Sequence, residues 1–134
     1  VTVYAALTVF GADGVRFRVA ASPGFTGVWL SDATPYYKVG SSPTDLEVGF
    51  NKCLIGTNLV ATITYQVFGT STCSDLSIAA PAGFIAPFFD DCGFEEIPLF
   101  NNGPLHVNCS GSFNCSPVAT EPTTWGRVKS LYRN

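Results

Sequence analysis

Polar and apolar residues alternate along much of this chain with a period of two. In GVRFRVAA, which begins at Gly14, Val15, Phe17 and Val19 share one face while Arg16 and Arg18 take the other, the signature of a strand with one buried side. TDLEVGF sets Leu46, Val48 and Phe50 opposite Asp45 and Glu47. The longest such run, NLVATITYQVF, carries Leu59, Ala61, Ile63, Tyr65 and Val67 on one face and Val60, Thr62, Thr64, Gln66 and Phe68 on the other. FTGVWL, PYYKV, DLSIAA and PLHVNC are shorter candidates, separated by Gly and Pro clusters at residues 22–24, 42–43 and 81–83. Short strands at intervals of roughly 8–12 residues, with turn signals between them, predict an antiparallel sandwich.

The opening segment, VTVYAALTVF, is the least protected. Val1, Val3, Ala5, Leu7 and Val9 form one face, Thr2, Tyr4, Ala6, Thr8 and Phe10 the other, and no charge interrupts either. Natural edge strands carry Lys, Pro or a bulge against pairing with strangers. A strand without these devices must be paired along its length, within its own sheet or by addition to that of a neighbouring subunit. Burial of its five aliphatic side chains is worth about 10 kcal/mol gross, enough to offset a substantial association cost. The GADG joint at residues 11–14 suits either a hinge or a hairpin loop.

Helical spacing is confined to the end, TTWGRVKSLYRN, where Thr123 or Thr124 can cap and Trp125, Val128 and Leu131 or Tyr132 fall on one side. Arg127, Lys129 and Arg133 lie here without an acid among residues 122–134. Asp90, Asp91, Glu95 and Glu96 gather in FDDCGFEE, so the basic tail and this acidic stretch are expected to form secondary subunit contacts.

Composition narrows the function classes. Charged residues make up 13% of the 134, about half the share in an ordinary soluble domain, which suggests that a partner covers part of the surface. The net charge of −3 argues against nucleic-acid binding, which needs a basic face. No run of 18 apolar residues is present, so no membrane-spanning helix is expected. The chain contains no methionine and starts at Val1 in a strand, which predicts removal of an N-terminal leader. The five cysteines suit an oxidising compartment, and with neither a CxxC motif nor a second histidine disulfides are expected in place of zinc. Cys109 with Cys115 is the first candidate bridge and Cys53 with Cys73 the second.

The ending PVATEPTTWGRVKSLYR, residues 117–133, resembles a tail found in small secreted bacterial proteins with a cysteine-bearing β domain. That resemblance implies a secreted, bacterial β protein and assigns no activity. By layout alone the chain is similar to the donor-strand subunits of pilus-like fibres.

Enzyme chemistry finds little support. His106 stands between Leu105 and Val107 in a candidate strand with no nucleophile motif around it. The acids at residues 90–96 match no calcium-loop spacing, and no cofactor is expected. Trp29, Tyr36 and Tyr37 offer an aromatic platform for sugars. The sequence therefore leads to an all-β protein, an immunoglobulin-like or jelly-roll-like antiparallel β-sandwich with a short C-terminal helix. Its expected parts are an N-terminal strand at residues 1–10, a candidate for donation to a neighbouring subunit, a body at 11–116 and a tail at 117–134. The expected function is that of a non-enzymatic structural subunit of an extracellular bacterial filament, a homopolymer built by β-strand donation. The alternative is a secreted carbohydrate-binding or adhesive module with a glycan as partner.

Overall fold

The computed structural model describes residues 1–68, 73–100 and 103–107. They form an all-β, antiparallel, sandwich-like fold with the strands β1 (Thr2–Ala21), β2 (Gly27–Ala33), β3 (Tyr37–Ser41), β4 (Asp45–Val67), β5 (Ser74–Ala79), β6 (Phe88–Asp90), β7 (Glu96–Pro98) and β8 (Leu105–Val107). No helix occurs among the described residues, and the expected C-terminal helix lies outside them.

Two long strands dominate. β1 and β4 pair antiparallel from Thr2↔Thr64 to Phe17↔Leu46. The strand order runs β2-β4-β1-β5-β8, with β3 also on β4, β6 on β1 and β7 on β6. β1 belongs to both layers: its first part lies beside β4, and Arg18 to Ala21 pair with β5. Alternation places Val15, Phe17, Leu46, Val48 and Ile63 inward, where they cluster with Leu76 of β5 and Val107 of β8 in one core. Each such aliphatic side chain contributes about 1.5–3 kcal/mol on burial.

The core also holds a satisfied polar knot. Asp32, only 8% exposed, accepts hydrogen bonds from Trp29 Nε1 at 2.9 Å, the Ser42 amide at 2.7 Å and Ser42 Oγ at 2.6 Å. A buried carboxylate is tolerated only with such partners, and these tie β2 to the turn between β3 and β4.

Several expectations are corrected here. The GADG segment is neither hinge nor hairpin: β1 runs straight through it. Gly11 lies under a disulfide, where an added Cβ would meet Cys92 Sγ at 3.2 Å and Cys53 Sγ at 3.4 Å. TDLEVGF and NLVATITYQVF are likewise one strand, β4, carried past Gly56 at a φ of 82°. Cys53 bonds Cys92, not Cys73, joining β4 to the turn after β6; Cys73 is disulfide-bonded as well. Cys109 and Cys115 lie outside the described residues.

Candidate functional site

Residues 1–10 are zipped into their own sheet. The Val1 ammonium donates to the Tyr65 carbonyl and the Tyr65 amide to the Val1 carbonyl, both at 2.8 Å, and the ladder continues from Thr2 to Val9 against Thr64 to Gly56. The expected strand exchange is therefore corrected: this segment finds its partner inside its own chain. Among the described residues, only one of its two edges is satisfied in this way.

The ladder geometry identifies which groups face outward. In an antiparallel pair, residues that exchange both hydrogen bonds alternate with residues that point theirs away. Since Val1 and Tyr65 exchange both, Val3 and Ala5 also bond toward β4, whereas Thr2 and Tyr4 direct N–H and C=O to the opposite edge. No described strand pairs with that edge between Thr2 and Asp13; β6 joins only at Gly14 and β5 only at Arg18.

Beside this edge the two layers stand apart. An apolar cavity of about 320 Å³ opens between Val3, Ala5 and Leu7 of β1 on one side and Leu76, Ile78 and Leu105 on the other. Of the segment's inward residues, Leu7 and Val9 are buried, Val3 and Ala5 are half-buried against the core, and Val1 is exposed. The outward face is free of charge and includes Tyr4 at 68% and Phe10 at 101% exposure. Sequence revealed the bare strand, but not that β5 and β8 form the facing wall, because that depends on pairing across the whole chain.

The acidic stretch forms the β6–β7 hairpin. Asp90 pairs with Glu96 across it, and Asp91 Oδ1 accepts from the Gly93 and Glu95 amides at 2.8 and 2.9 Å, closing the turn. Burial first, and then the neighbouring carboxylates of Glu96, Glu47, Asp13 and Asp91, push the Asp90 carboxyl above its ordinary value. Arg127, Lys129 and Arg133, the expected counter-charges, lie outside the described residues.

The expected aromatic platform is not assembled as read. Trp29 and Tyr36 pack against the core, with the Trp29 indole held by Asp32, and only Tyr37 stands free at 75% exposure. His106 Nδ1 sits 2.6 Å from Asp75 Oδ1 where β8 pairs with β5, and Ser74 Oγ turns to the Val107 carbonyl. Among the described residues no group of three or more ligand side chains converges to hold a metal ion, and no helix is long and apolar enough to cross a membrane. No protein-family model matches this chain, and neither the curated proteins nor the solved structures contain a match.

Proposed function

We propose that this chain is a structural subunit of an extracellular filament, built by adding the strand edges of successive copies to one another. The observation that carries this reading is the edge of β1 that no described strand covers: a run of backbone donors and acceptors, bare of charge, lying along an apolar groove. Such an edge is a template for another strand.

The occupant is a second copy. The sheet segment β2-β4-β1 ends in β1 on one side and in β2 on the other, and β2, GVWLSDA, has neither Lys nor Pro, its single acid Asp32 being turned into the core. Pairing the β1 edge of one copy with the β2 edge of the next joins two different surfaces, and contacts of that kind repeat without closing into an open fibre. Residues 1–10 then act as the receiving edge, not the donated strand. The disulfides fit an extracellular setting, as does the low content of charge.

Tyr4→Pro provides the test. Proline at this position removes an outward N–H and leaves the bonds from Val3 and Ala5 to β4 in place, a substitution that edge strands accept. The wild-type protein is expected to elute as large assemblies and to show fibres by negative-stain microscopy, and the Tyr4→Pro variant to elute as a folded monomer of 14.2 kDa. A wild-type protein that remains monomeric at high concentration, or a proline variant that assembles as before, overturns the reading.

A further inference from the structure

The ladder between β1 and β4 shifts register at three places, and the widest break lies between Ala12 and Gly14. Gly14 pairs with Gly49 and Ala12 with Leu54, so Phe50, Asn51, Lys52 and Cys53 together stand against Asp13 alone. Bulges re-aim side chains and are enriched beside binding sites. This one also holds Asn51 at a φ of 55°, in the left-handed region that asparagine adopts more readily than most other non-glycine residues. The Cys53–Cys92 bridge fixes the far end of the bulge.

The result is a cleft of about 700 Å³ lined by Asp13, Tyr36, Tyr37, Gly49, Phe50 and Asn51 among others. Phe50 turns inward, and Tyr36 meets it edge-on with ring centroids 4.9 Å apart, so these two rings build the base. Tyr37 is paired on β3 with Gly49, and a Cβ placed on Gly49 would meet nothing within 4 Å. The Tyr37 ring therefore has a rigid strand beneath it and open space across from it.

We propose that this cleft binds a neutral oligosaccharide. A pyranose has an apolar C–H face and a rim of hydroxyls. An exposed aromatic ring suits the first, and the Asp13 carboxylate with the Asn51 amide supplies acceptors and a donor for the second. Charge selects among glycans: Asp13 is the one ionisable acid of the lining, and Asp90 is close enough to feel its field, so uronates and sulfated sugars are repelled. The cleft shares only Asp13 with the uncovered stretch of β1 and gives the proposed fibre an adhesive face.

Cellohexaose, maltohexaose and chitohexaose, each titrated into the full chain by calorimetry and followed by amide chemical shifts, test the proposal. At least one is expected to bind and to shift the Asp13, Tyr37 and Asn51 resonances. Tyr37→Ala is expected to weaken that binding by about tenfold or more, and Tyr37→Phe to retain most of it. Asn51→Gly, which keeps the left-handed backbone and removes only the amide, is expected to weaken it without loss of fold. Failure of all three hexasaccharides to bind, or a Tyr37→Ala variant that binds as the wild type does, overturns the proposal. Tyr4→Pro must bind as the wild type does and Tyr37→Ala must still assemble, so failure here is distinct from failure of the fibre reading.

Discussion

Arg16 organises the charged part of the surface. Its Nε and Nη2 clamp the two Asp45 oxygens at 2.9 and 2.6 Å, Glu47 lies 3.8 Å from Nη1, and the guanidinium sits 4.6 Å from the Phe84 ring centroid. These hydrogen bonds hold the Asp45 carboxyl below its ordinary value, against the opposing effect of burial. A carboxyl depressed by folding stabilises the protein above its unfolded-state pKa and loses that contribution as the pH falls through its folded-state value. Asp45→Asn is therefore expected to lower stability by about 1 kcal/mol at neutral pH, since the pair is partly exposed, and to flatten the acid limb of the unfolding curve below about pH 4. Urea melts across pH 2–7 check both. Asp90 acts with the opposite sign: its raised carboxyl favours folding below its ordinary value and loses that advantage as the pH rises through the raised one. Gly40 is the most constrained backbone position, with a φ of 77° and an added Cβ only 2.0 Å from the Asp45 carbonyl oxygen. Gly40→Ala is expected to cost about 2 kcal/mol or more, read from the denaturation midpoint.

At the scale of elements, the period-two pattern identified the strands and their faces but not where they join. Val15, Phe17 and Val19 point inward as their spacing required, and so do Leu46, Val48 and Phe50. The breaks were harder to place. The joint at residues 11–14 read as a hinge or hairpin loop, yet Gly11 and Gly14 lie within β1, where neighbours crowd the space a side chain would take: a Cβ at Gly11 would meet Cys92 Sγ at 3.2 Å, and one at Gly14 the Val48 carbonyl oxygen at 3.2 Å. The Cys53–Cys92 bridge spans 39 residues, and the loop-entropy argument gives it about 4 kcal/mol. A Cys53→Ser/Cys92→Ser double variant is expected to lose about 2–4 kcal/mol and, with the bulge untied, to weaken any saccharide binding more than it weakens assembly. Chemical denaturation and the two functional assays separate these effects.

For the molecule as a whole, alternation within a segment was enough to fix the all-β class and the inward faces, because the pleat that sets the period is a property of each strand alone. The bare first segment was likewise visible in its composition. Which edge it leaves open, which cysteine meets Cys53, and how Asp13, Tyr37 and Asn51 come to share one cleft were decided by tertiary structure. Each of these rests on residues far apart in the chain, brought together by the register between β1 and β4 and by the bulge within it. A local pattern fixes the side of a strand on which a residue lies, but not the partner that strand meets, because pairing energy is summed over the entire ladder.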